Sequence, residues 1–293
     1  MNISPLALAQ NILQFKSQMI GSLFGASDDP QGDFLSALRA QKRASAPASN
    51  DPLSTLAQPN ASATPGNSLG LFDPASAFKM MSTINKREVL HKAEFAEMHS
   101  MSDYVEQIES AAQRLSGIVS ATPNEEIRAQ LQSFTADYNN LVQRFKPSVQ
   151  NGGMLEGVQA AEISLYALEQ SVKYKFFGAA EGLHGLSDLG ISIDPLTKQA
   201  ALDPAKLDAL LATQKQAAVH TLQEFSANFA KSADLLNSDG NFIPNRLNNL
   251  SRAIQYIKDN QTDWQAEFGL GDPAKPNKQV AQALAAYNKI YAI

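Results

Sequence analysis

Two runs of apolar residues at alternating steps of three and four, separated by one short break, leave this chain few folds to choose from. The first run is Met98, Met101, Val105, Ile108, Ala112, Leu115 and Val119; the second is Ile127, Leu131, Phe134, Tyr138, Leu141 and Phe145. That spacing keeps the apolar residues on one stripe of a helix, which must be covered by another helix. The break, Thr122-Pro-Asn-Glu125, reads as a capping box, and Lys146-Pro147 stops the second helix. The two helices are therefore expected to fold back on each other as an antiparallel pair.

The same period recurs along the chain. Asp73-Pro74 opens the first helix as cap and first-turn proline, and Phe78, Met81 and Ile84 carry its stripe until His91 interrupts the register beside Phe95. After Gly152-Gly153, the residues Val158, Ala161, Leu165, Leu168, Val172 and Phe176 mark another helix, whose aromatic end, Tyr174 to Phe177, is expected to pack under the region that follows. Val219, Leu222, Phe225 and Phe229 mark a helix over 214–236, and Asn237-Ser-Asp-Gly240 a turn. The last long helix carries Ile243, Leu247, Leu250, Ile254, Ile257, Gln261, Trp264 and Phe268, and a short tail helix carries Val280, Leu284, Tyr287 and Ile290.

Between Leu186 and Leu211 the helical period lapses. Ile191 and Ile193 alternate with Ser192, Asp194-Pro195 turns the chain, and Ala200 to Leu202 offers a second extended run, so a small β-hairpin is expected near 190–203. Asp203 then caps a helix with Pro204 in its first position and Leu207, Leu210 and Leu211 on one face. The fold class that follows is mainly α: an elongated helical bundle of coiled-coil hairpins with one small β-hairpin.

Four domains are read along the chain: an amphipathic N-terminal helix over 1–24, a linker over 25–72, a helical bundle over 73–268 and a tail over 269–293. The linker, with stretches such as ASAPASNDP and QPNASATPGNS, has too few large apolar side chains to offset the entropy of ordering it. A short helix over 33–43 is expected within it. The N-terminus has no basic residue ahead of its apolar part, so it makes a poor secretory signal peptide.

Composition narrows the function. A net charge of −5 without a basic cluster argues against a nucleic-acid binder, and no apolar run is long enough to insert in a membrane. With no cysteine there is neither a disulfide framework nor a thiolate nucleophile. His91, His99, His184 and His220 lack metal-ligand spacing, and they read as solvated or helix-face residues. No phosphate-binding glycine loop or nucleophile elbow is present, and no cofactor is expected. The oxygens of Asn237 to Asn241 resemble the start of a calcium loop, but the position for its bidentate acid holds Arg246. An enzyme is therefore not expected, and apolar helix stripes become the candidate means of action. The candidate assembly seam is Met98, Val105, Ile108 and Leu115 with Leu250, Ile254, Ile257 and Trp264, whose alternative is burial inside one bundle.

Four pieces in order also resemble a known family. Phe134 to Val142, FTADYNNLV, is similar to an "FVxAYNxLV" helix, and Gly153 to Gly157 to a "GxLxGD" turn. Leu186 to Leu211 is similar to "LxDLGIxxD, turn, LDxAKLDALL", and Ser238 to Ile243 with Arg246 to Ile254 to an "SDGLI" loop and long helix. Together these resemble the C-terminal region of the flagellar filament cap protein, a hook-associated protein, over roughly 134–268, under half of the chain. The resemblance implies a non-enzymatic, extracellular flagellar protein exported without a cleaved signal peptide. It also implies a homo-oligomer that meets flagellin or hook-associated proteins, and it makes 25–72 an export segment. The family's central β-rich domains are missing and its long C-terminal helix breaks at Gly269 to Pro276, which implies a reduced form. A cytoplasmic scaffold, regulator or export chaperone that binds a partner helix is the alternative.

Overall fold

A computed structural model describes residues 74–175 and 182–291. The readings of 1–24, 25–72, the 33–43 helix and the Asp73 cap lie outside the described residues, as do Phe176 and Phe177. The described part is mainly α with one two-stranded hairpin. Its helices are α1 (Pro74–Leu115), α2 (Asn124–Phe145), α3 (Gln159–Lys173), α4 (Pro204–Thr213), α5 (Lys215–Asn237), α6 (Phe242–Phe268) and α7 (Lys278–Ile290); β1 (Ile191–Ile193) and β2 (Ala200–Leu202) precede α4.

The longest element, α1, organises the rest. Its 42 residues span about 63 Å at the rise of an α-helix. Both predicted seams are buried against each other and their neighbours, from Met98 to Leu115 on α1 and from Ile127 to Phe145 on α2. Glu97 pairs with Arg144 and Arg114 with Asp137, so α2 runs antiparallel to α1. The hydroxyl of Ser226 donates to Ala112 O and Asn237 Nδ2 donates to Ser102 O, which lays α5 antiparallel along the C-terminal half of α1. Beyond a turn at Ser238–Asn241, α6 continues along its N-terminal half, where Arg246 meets Glu94. The segment after α6 returns parallel to α1: Asp272 meets Ser82, and Tyr287 meets Phe95.

The hairpin forms at the expected residues, with Ile191 opposite Leu202 and Ile193 opposite Ala200. Asp203 caps α4, accepting from the backbone N–H of Ala205 and Lys206 at 3.0 and 3.1 Å. Three local readings are corrected. The capping box does not form: α2 starts one residue late, behind Pro123, and the Thr122 hydroxyl accepts from Val119 N–H at 3.0 Å to close the incoming turn instead. Because α1 ends at Leu115, Val119 leaves the seam and is 50% exposed; Phe78, near the other end of the helix, is 45% exposed. Tyr174 follows the last residue of α3 in extended backbone and is exposed rather than packed under the hairpin. The tail over 269–293 belongs to the same compact unit as the bundle, Asp73–Ile293.

Candidate functional site

One set of specific side-chain contacts joins α2, the hairpin and α3. Asn139 lies on α2 between buried Tyr138 and Leu141 and turns its amide to strand β2. It donates from Nδ2 to Ala200 O at 2.8 Å and accepts at Oδ1 from Ala200 N–H at 2.7 Å, so one side chain satisfies both backbone groups on the open edge of the hairpin. Directly after Phe145, the helix's buried last residue, Lys146 donates to Leu196 O at the hairpin tip. Asp194 accepts from Leu196 N–H, Thr197 N–H and the Thr197 hydroxyl at 2.6–3.0 Å, and these donors hold its carboxyl below its usual range. Lys198 reaches Glu169 of α3 at 3.2 Å beside Lys173. Burial alone would raise the Glu169 carboxyl, but the two lysines outweigh it and lower it.

Gly190 explains the glycine that precedes the strand. Its φ is 91°, and a Cβ there would lie 2.8 Å from Asp203 O, while its own carbonyl accepts from Asp203 N–H at 2.9 Å. The hairpin's two ends are thus closed by a glycine and a helix cap in contact.

Two charged clusters sit on α1. Glu97, 7% exposed, is held by a two-pronged pair with Arg144 at 2.6 Å for each prong, and by the Ser148 hydroxyl. A cleft of about 480 Å³ opens there, bordered by Ala96, Ser100, Gly153, Met154 and the face of α7 that carries Gln279 and Gln282. One turn earlier, Glu94 pairs with Arg246, yet burial outweighs the guanidinium and raises its carboxyl. Burial, with Arg246 and Arg87 nearby, pushes the His91 imidazole down to about 4. His91 is therefore a largely enclosed neutral group instead of a solvated one. His99 and His184 lie 3.4 and 3.7 Å from Asp103 and Asp188, each on an exposed local pair.

Among the described residues, no three His, Asp or Glu side chains gather as a metal ion would require. The polar atoms of the Asn237–Asn241 turn serve the fold: Asn237 exchanges bonds with Ser102, Asn241 donates to the Ser238 hydroxyl, and Arg246 is engaged with Glu94. No helix of the described residues is long and apolar enough to cross a membrane.

The eight candidate seam residues are all covered within the single chain. Met98, Val105, Ile108, Leu115 and Ile257 are at most 1% exposed, Leu250 and Trp264 2%, and Ile254 6%. They divide into two groups: Met98 to Leu115 with Leu250 and Ile254 join one contiguous core, whereas Ile257 and Trp264 are buried apart from it. Apolar side chains left on the surface are others, notably Leu196 at 81%, Leu270 at 71% and Tyr166 at 64% exposed. Sequence reasoning missed the pairings of Asn139, Glu97, Arg144 and Arg246, whose partners lie 47 to 152 residues away. No protein-family model, curated protein or solved structure matches the chain.

Proposed function

We propose that this chain is a non-enzymatic structural protein of the bacterial flagellum, cap-like or associated with the hook and filament. It acts outside the cell by self-association through its helices and aids the assembly of flagellin. It is a reduced form that keeps the helical part and dispenses with the central β-rich domains. The observation that carries this reading is the pairing of Asn139 with Ala200. It joins the FTADYNNLV helix to the hairpin, so the segments that carry the resemblance meet through the motif's own asparagine. Gly190, within DLGI, and Asp203, within LDPAK, close the same hairpin. Among the described residues, the side chains that join α2, the hairpin and α3 hold these elements together, as suits a protein that works by shape and association.

The test is detection of the protein in sheared, washed flagella and in the cytoplasm, in a normal strain and in one blocked in flagellar export. Enrichment in the sheared fraction that vanishes in the blocked strain supports the proposal. Retention in the cytoplasm of both strains overturns it and leaves an intracellular helical scaffold as the account.

A further inference from the structure

The loop between α2 and α3 carries the chain's one Asn-Gly pair, Asn151-Gly152. Asparagine followed by glycine is the pair most prone to lose its side-chain amide, because no side chain on the second residue hinders attack by that residue's backbone nitrogen. The loop gives this reaction access. Both residues are exposed, and the Asn151 side chain takes no hydrogen bond among the described residues. Gly152 has φ 77°, which glycine adopts without penalty, and no heavy atom lies within 4 Å of the place a Cβ would take. The Asn-Ser pair Asn237-Ser238 differs, since its amide donates to Ser102 O and accepts from the Ser102 hydroxyl, each at 2.9 Å.

One contact opposes the reaction at Asn151. The Gly152 N–H, the group that has to attack, donates to Glu156 Oε2 at 2.8 Å. That bond must break before the nitrogen can release its proton and close on the Asn151 side chain. The carboxylate's charge also disfavours the negative charge that builds on the nitrogen as the proton leaves. Glu156 is itself exposed, so it can be replaced without opening the core.

We propose that Asn151 is a site of spontaneous deamidation and that Glu156 restrains it. The Gly152 nitrogen bonds to Asn151 Cγ, its proton and the side-chain NH2 leave together as ammonia, and a cyclic imide remains. Water then opens the imide at either carbonyl, giving aspartate or isoaspartate, and nothing besides water is consumed. Isoaspartate adds a methylene to the main chain two residues before Gly153, where a Cβ would already collide with Ser148 O. The lengthened loop therefore works against the seat of Ser148, whose hydroxyl donates to the buried Glu97.

The full chain is held in mildly alkaline buffer made with heavy-oxygen water, beside Glu156→Ala, Glu156→Gln and Asn151→Gln, and sampled over weeks for peptide mass spectrometry. Solvent oxygen is expected at residue 151 of the parent, several-fold faster in Glu156→Ala, and absent there in Asn151→Gln. Glu156→Gln keeps an acceptor and loses the charge, so its rate is expected to fall between parent and alanine; it also serves if the alanine variant loses its helicity. Equal rates in the parent and both Glu156 variants overturn the restraint, and an Asn151 that keeps its amide in all of them overturns the site. Aged parent protein is expected to unfold at a lower urea concentration than fresh protein, in step with its isoaspartate content. An unchanged midpoint overturns the link to Ser148.

Discussion

The charged side chains of α1 are costly to leave alone. Glu97 is buried and its charge is balanced by Arg144, whose side chain is 40% exposed. Arg144→Met strands the carboxylate with the Ser148 hydroxyl as its remaining partner. The expected loss is about 2 kcal/mol, below that for a fully buried pair because water reaches the arginine. Glu97→Gln added to Arg144→Met removes the stranded charge and restores part of that loss. Urea unfolding of the single and double variants checks this, and a double variant weaker than the single one contradicts it. His91 brings pH dependence. Its folded value of about 4 lies below the ordinary 6.5, so the neutral form is favoured by folding. Its contribution is complete above about pH 6.5 and is lost as pH falls toward 4. Glu94, raised by burial, takes up its proton more readily in the folded state and opposes that loss. His91→Gln is expected to lessen the drop in stability between pH 7 and 4.5 by roughly 2 kcal/mol; an unchanged pH profile would show that the imidazole protonates freely.

At the scale of elements, the hairpin is three residues per strand and cannot stand by itself. Asn139, Lys146 and Lys198 tether it to α2 and α3. Asn139→Leu leaves both backbone groups of Ala200 without that partner, at a cost of about 2 kcal/mol. Asn139→Asp can still accept from Ala200 N–H, yet it sets a carboxylate against Ala200 O, so it is expected to be no better than leucine. Thermal unfolding of the two variants decides the matter; stabilities equal to that of the parent would mean water replaces the amide. These residues also divide what could be read in advance from what could not. Ile191, Ile193, Asp203 and Pro204 act on neighbours a few positions away, and their pattern named the strands and the cap. Asn139 acts across 61 residues, and although the resembled motif sets it apart from the exposed Asn140, no local pattern names the strand it would bind. Thr122 shows the converse case: a local motif did not take its expected role, since α2 begins at Asn124 and the Thr122 hydroxyl closes the preceding turn instead. The seams could be read because period alone decides which face is buried, but period does not say whether the covering helix belongs to the same chain.

The whole bundle is α1 with different partners along its two halves. From Phe95 to Leu115 it belongs to a contiguous core shared with α2, α3, the hairpin, α4, α5 and the first half of α6. Toward its start, Met81 and Ile84 are buried outside that core, as are Ile257 and Trp264 near the end of α6. Between the two lie His91, Glu94 and Arg246, polar groups whose enclosure stabilises less than apolar packing does. Among the described residues, the distal part is covered further by the segment 270–272 and by α7, in which Val280 alone is buried. Stability is therefore expected to be uneven, with the distal end opening below the free energy of global unfolding. Trp264 is the chain's single tryptophan and reports that end alone, whereas far-ultraviolet ellipticity averages over every helix. In urea, the fluorescence midpoint is expected to precede the ellipticity midpoint. Ile108→Asp, which sets a charge in the contiguous core, should lower the ellipticity midpoint by the equivalent of at least about 4 kcal/mol, and Trp264 can then no longer melt separately. Coincident transitions in the parent protein would mean that α1 transmits the cooperativity of its core through the polar layer, and the bundle would be a single two-state unit.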